Sequence, residues 1–162
     1  MHRYKSLSLP SSEYGRLQHL MLTMIGSRTV LASVLRRKLG SARPVSASDV
    51  AADIAVSGRR VRFRIDGQHS QEGLLTWKPP RRGDTVNLSL RSPRGLALLG
   101  LGPGATVSYT TQGGRTEFLE VENVTEDEVN VTDRRASWIK MSGIEADVRA
   151  APSAAFRGGV NA

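Results

Sequence analysis

No cysteine occurs among the 162 residues. A disulfide scaffold, a thiolate-ligated zinc, an iron–sulfur cluster and a thiol nucleophile are thereby excluded, and stability has to come from ordinary packing. Aromatic residues are scarce as well, at 5%, which leaves little material for base stacking or an aromatic-lined ligand pocket. Long apolar runs are missing too. The longest, Leu20 to Ile25 and Leu96 to Leu101, fall far below the roughly 20 residues that span a bilayer. The start, Met1-His2-Arg3-Tyr4-Lys5, is basic, but Ser6 to Ser12 supplies no apolar signal core. The sequence therefore reads as a soluble, cytoplasmic protein without a membrane partner. His2, His19 and His69 show no HxxxH spacing, so no metal or other cofactor is expected.

Acidic charge is what the N-terminal third lacks. The whole chain has 23 Lys and Arg against 15 Asp and Glu, a net charge of +8. Residues 1–50 hold eight of the basic groups (Arg3, Lys5, Arg16, Arg28, Arg36, Arg37, Lys38, Arg43) against Glu13 and Asp49, and so carry +6. The rest is close to balance. Such a surface attracts nucleic acid, an acidic protein partner or anionic lipid, and composition does not rank them.

What is present is a change of period. Tyr14, Leu17, Leu20, Met21, Met24 and Ile25 recur at helical spacing behind Ser11 or Ser12 as N-cap. Gly26-Ser27 interrupts the pattern, and Val30, Leu31, Val34, Leu35 and Leu39 resume it, with Gly40 as C-cap. Two helices with a short connection make an antiparallel hairpin over 1–44. Residues 45–57 are rich in Ser and Ala and read as a linker.

From residue 58 alternation takes over. Val61, Phe63 and Ile65 alternate with Arg60, Arg62 and Arg64 as in a half-buried strand. Gly67 to Gly73 reads as a loop. Leu74 to Trp77, then Val86, Leu88 and Leu90, Val107 to Thr111 and Phe118 to Val124 complete about five strands, the last two joined by Gln112-Gly113-Gly114-Arg115. Ser92-Pro93 starts a short helix, with Ser as N-cap and Pro where its missing N–H costs nothing, and Gly100 ends it. The expected unit over 58–126 is α+β. Residues 127–162 form an extension in which Val129 and Val131 extend a strand, Trp138, Met141 and Val148 line a helix interrupted by Gly143, and the Ala-, Ser- and Gly-rich end is disordered.

The run from Leu88, LSLRSPRGLALLGLGPGATVSYTTQGGRTEFLEV, resembles the C-terminal domain of the bacterial transcript cleavage factors GreA and GreB. It is similar above all to Rnk, the regulator of nucleoside diphosphate kinase, a relative with a shortened coiled coil. Val61-Arg62-Phe63-Arg64, Pro93 followed by Gly95, Ala97-Leu98-Leu99-Gly100-Leu101, Gly113-Gly114 and Leu119-Glu120-Val121 carry the resemblance, which covers residues 59–124. It implies an FKBP-like antiparallel sheet domain with one short helix, behind a helical hairpin. It also implies docking at the rim of the RNA polymerase secondary channel with the hairpin directed inward. The implied docking residues lie around the Ser-Pro step: Arg91, Ser92, Pro93, Gly95, Ala97, Leu98, Leu99 and Gly100. The chain departs from the family at Arg91, where some members are acidic, at Gly104-Ala105, where Gly-Asp is common, and at Gln112, where proline is usual. The Rnk-like ending after Leu119-Glu120-Val121 is absent.

In the cleavage factors, the resemblance implies, carboxylates at the hairpin tip help hold a second magnesium, a hard cation that needs charged oxygen ligands. The tip here, Met24 to Thr29 with Gly26, Ser27 and Arg28 at its centre, has no carboxylate. Glu13 and Asp49 fall at the opposite end, and each arm spans only about 20 Å. The expectation is a polymerase-binding transcription regulator, monomeric, without transcript cleavage and not an enzyme. A second reading makes the chain a direct nucleic-acid binder through Arg36, Arg37, Lys38, Arg60, Arg62 and Arg64, although a solvated face explains those residues as simply. A third, prolyl isomerase activity, rests on fold analogy, which does not carry activity.

Overall fold

Apolar residues at three- and four-residue spacing produce helices α1 (Ser11–Thr23) and α2 (Val30–Ser41) in the computed structural model, which describes residues 7–79, 82–83 and 86–127. Strand β1 (Leu7–Pro10) leads into α1, strand β2 (Ala42–Val45) follows α2, and the two pair in parallel with Leu7 opposite Ala42. A parallel pair needs a long crossover, and the two helices supply it. Neither strand is legible in the sequence, because each finds its partner only across that crossover. The helix ends also differ from expectation. Ser11 does not cap α1; its hydroxyl donates to Val45 O at 3.0 Å instead, tying the first turn to β2. Gly40 does not end α2, because the Ser41 hydroxyl bonds the carbonyls of Arg37 and Lys38 and keeps the last turn closed.

The main sheet has the order β5-β4-β3-β7-β6, built from β3 (Arg59–Ile65), β4 (Ser70–Thr76), β5 (Asn87–Ser89), β6 (Thr106–Thr110) and β7 (Thr116–Glu126). It is mixed rather than antiparallel. β5 lies parallel to β4, with Leu75 opposite Leu88, a pairing that a tight hairpin cannot make. β3 and β4 turn tightly through Asp66 (φ 50°) and Gly67 (φ 69°), with Gln68 N–H bonded to Ile65 O. The long loop expected from Gly67 to Gly73 is therefore a hairpin turn of the Asp-Gly kind. A bulge shifts the register so that Arg62 faces Asn123 but Phe63 faces Val121. It lets both Val121 and Val124, three residues apart, point inward. The short helix α3 (Pro93–Leu98) connects β5 to β6.

Residues Met1–Glu126 make up one compact unit. Its core joins Leu9, Leu17, Val34 and Leu35 from the helical segment to Val61, Phe63, Leu75, Leu119 and Val121 from the sheet and Leu96 to Leu99 from α3. The segment read as a linker contributes buried Val50, Ala55 and Val56 and is fastened by Ala55 N–H to Leu101 O and Gly100 N–H to Ala55 O. The second unit, Asp127–Ala162, lies beyond Asp127 outside the described residues, and so do the strand and helix expected there around Val129, Trp138 and Met141. Among the described residues no helix is long and apolar enough to cross a membrane.

Candidate functional site

The Ser92-Pro93 corner is held by a dense set of hydrogen bonds. The Ser92 hydroxyl donates to Ser89 O at 2.6 Å and accepts from Gly95 N–H, capping α3 with Pro93 in its first turn. Ser89, absent from the sequence-level reading, does most of the positioning: its hydroxyl donates to Lys78 O at 2.6 Å and accepts from Arg91 N–H. Gly95 stands so close to Ser89 O that a Cβ there would lie 2.1 Å from it, so only glycine lets α3 sit on β5.

Burial divides the expected docking residues. Gly95, Ala97, Leu98, Leu99 and Gly100 are buried, Ala97, Leu98 and Leu99 with no exposed area at all. These side chains fill the core and cannot form a docking surface. What the corner presents outward is Arg91, with half-buried Ser92, Pro93 and Arg94. The reason is geometric: so short a helix pressed against the sheet turns its apolar residues inward and leaves only its N-terminal edge to solvent.

Arg94 pins that edge. Its guanidinium bonds both carboxylate oxygens of Glu117 at 3.1 and 3.2 Å, and Tyr109 donates to the same carboxylate at 2.6 Å. Burial, and then the bond to Glu117, push the Tyr109 phenol up to about 12. Burial disfavours the Glu117 carboxylate, but Tyr109 and Arg94 outweigh it and hold its pKa below the usual range. The triad is an internal brace between α3 and the β6–β7 pair.

Each helix of the N-terminal pair is anchored by one buried charge. Glu13 of α1 accepts from Trp77 Nε1 at 2.7 Å and from the Ser57 hydroxyl, and Arg16 lies over the Trp77 ring, 5.6 Å from its centroid. Lys38 of α2 donates to Ala97 O at 2.8 Å and Leu99 O at 2.7 Å. Burial, and secondarily the Arg37 charge, lower its pKa to about 7. Lys38 is thus removed from the set of candidate nucleic-acid contacts: with 5% of its surface exposed, it closes off carbonyls at the C-terminal end of α3.

The other candidate contacts are also engaged. Arg36 donates to Ser27 O at 2.7 Å and Arg37 to Ser108 O at 2.6 Å. On the outer sheet face Arg60 and Arg62 pair with Glu72, and Arg64 with Glu122. At the tip Gly26 takes φ 79°, Ser27 is half-buried and Arg28 exposed. Ser27 bonds Thr29, whose hydroxyl caps α2 by accepting from Ala32 N–H, a cap the sequence-level reading overlooked. Leu22 and Ile25 are 66% and 76% exposed. No group of three or more His, Asp or Glu able to hold a metal occurs among the described residues.

No protein-family model and no curated protein matches the sequence. Among solved structures, the prokaryotic transcription elongation factor GreA/GreB from Nitrosomonas europaea aligns with 74% of this chain and 98% of its own length, at 22% identity and a TM-score of 0.57. Thermus aquaticus Gfh1 covers 75% of this chain and 99% of its own at 15% identity and a TM-score of 0.38. The GreA factor homolog Gfh1 of Thermus thermophilus covers 74% and 99% at 17% identity and a TM-score of 0.35. Over 74% of its length this chain therefore shares its fold with the Nitrosomonas europaea elongation factor.

Proposed function

We propose that this protein is an RNA polymerase-binding regulator of transcription elongation, of the GreA/GreB and Rnk type, which docks at the rim of the secondary channel without stimulating transcript cleavage. The observation that carries the reading is the fold shared with a GreA/GreB elongation factor over nearly the whole of that protein. It is supported by the Ser92-Pro93 corner, a rigid outward edge where the resemblance places docking. The contact surface is narrower than the sequence suggests: Arg91, Ser92 and Pro93. The helix pair occupies the channel side, and its tip brings apolar Leu22 and Ile25 and cationic Arg28 rather than carboxylates. Without carboxylate oxygens it supplies no ligand for a second magnesium.

Direct nucleic-acid binding finds less support, since the arginines proposed to track phosphates are paired with Glu72 and Glu122 or spent on carbonyls. Binding to core RNA polymerase in competition with a GreB-type factor tests the proposal. Mutually exclusive binding, with backtracked complexes left uncleaved, is the expected result. Simultaneous binding of both factors overturns the channel assignment, and cleavage overturns the assignment of the tip.

A further inference from the structure

We propose that the groove between α1 and the Ser92-Pro93 corner is a binding site for an acidic segment of a protein partner, gripped between Arg16 and Arg91. The groove encloses about 580 Å³ and is lined by Ser12, Arg16, His19 and Leu20 of α1, by Trp77 and by Arg91. Among the described residues no carboxylate lines it. The nearest acid on α1, Glu13, is turned inward and spent on Trp77 and Ser57.

Arg16 and Arg91 differ from the arginines around them. Arg60, Arg62, Arg64, Arg94 and Arg115 each hold a carboxylate, whereas Arg16 and Arg91 have none among the described residues. Arg16 is nevertheless positioned, since the Trp77 indole holds its guanidinium from one side. The main chain at Arg91 is fixed by its backbone N–H bond to the Ser89 hydroxyl, which sets where its exposed side chain starts. One guanidinium held on the indole and a second at the groove edge, beside apolar Leu20 and Trp77, suit carboxylates interspersed with an apolar side chain, which arginine binds bidentately. A nucleic-acid strand fits less well. It needs a run of cations along its backbone, and the run on the outer sheet face, away from the groove lining, is neutralised by Glu72 and Glu122.

Only the partner's identity as polymerase rests on the docking reading above; the chemistry of the groove does not. The test uses the full chain carrying Trp138→Phe, which leaves Trp77 as its one indole, titrated with a peptide of Glu-Glu-Leu-Glu-Glu-Leu sequence. A peptide with Lys in place of Glu and a single-stranded oligonucleotide serve as controls. Saturable change of Trp77 emission with the acidic peptide alone is expected. Arg16→Glu and Arg91→Glu should each weaken it about tenfold, and Arg62→Glu, on the far sheet face, should leave it unchanged. Equal loss with Arg62→Glu reduces the effect to net charge and overturns the site, as does a preference for the oligonucleotide. In parallel, core polymerase binding separates the two proposals. Acidic-peptide binding without polymerase binding defeats the docking reading alone, and polymerase binding indifferent to Arg16→Glu, with no response to the acidic peptide, defeats the groove alone.

Discussion

The two ends of the helix pair are built on opposite terms. At the β1–β2 end each helix buries a charge and satisfies it: Glu13 against Trp77 and Ser57, Lys38 against two carbonyls of the α3 segment. Leu17, Val34 and Leu35 there join the core shared with the sheet. At the other end the turn from Met24 to Thr29 is closed by its own hydrogen bonds and by Arg36, while Leu22 and Ile25 stand in solvent. One end is thus committed to the fold, and the other leaves the apolar area of Leu22 and Ile25 uncovered. Sequence alone makes the ends look alike, since both carry apolar residues at helical spacing.

The largest effect expected from testing this contrast is at Leu35, which has no exposed area. Leu35→Ala should cost about 2–5 kcal/mol in chemical denaturation through lost burial and the cavity left behind; a cost below about 1 kcal/mol would mean that the anchored end is loosely packed. Lys38 comes next. The folded protein holds this amine near 7 against an ordinary 10.5, so between those pH values the unfolded chain binds more protons. Stability should therefore rise with pH across this window, at a slope approaching about 1.4 kcal/mol per pH unit. Below the window both states are charged and the burial cost is felt in full. Lys38→Met should flatten the profile between pH 7 and 10, below the range where Tyr109, raised to about 12, adds the opposite trend. A profile unaltered by the substitution would place the charge in solvent.

Smaller again is Ser92→Ala, which removes the α3 cap and should cost about 1 kcal/mol while weakening polymerase binding by more than that loss of stability explains. Unchanged affinity would move the docking surface away from the corner. Smallest of all is Ile25→Ser at the tip, expected to shift stability by no more than about 0.5 kcal/mol. A larger cost would show that the exposed end is also held by the fold.

Much of the corner is readable from residues 92–100. Serine before proline, glycine three positions after serine and glycine behind an apolar run spell a capped short helix with a left-handed stop, and the structure has Ser92 as cap and Gly100 at φ 83°. The Gly113-Gly114 turn is equally local, with Gly114 at φ 79°. The Asp66-Gly67 turn was as legible but is hidden by the polar stretch after it, which resembles a loop until Ser70 and Gln71 are seen paired with β3. The bond from the Ser89 hydroxyl to Lys78 O carries no local signal, because Lys78 becomes its neighbour only when β5 lies beside β4.

Charge shows the same division. The amino-acid order places the basic excess in the first 50 residues, sets the helical and alternating periods, and excludes thiol and disulfide chemistry, because each of these depends on residue identity or on neighbours a few positions apart. Which cations remain available depends on partners dozens of positions away. Lys38 meets Ala97 and Leu99, Arg64 meets Glu122, and Arg94 meets Glu117, whereas Arg16 and Arg91 meet no carboxylate among the described residues. Packing α2 against α3 and β3 against β7 settles those pairings, since a charge is buried only where long-range contacts bring it a counter-charge or a set of acceptors.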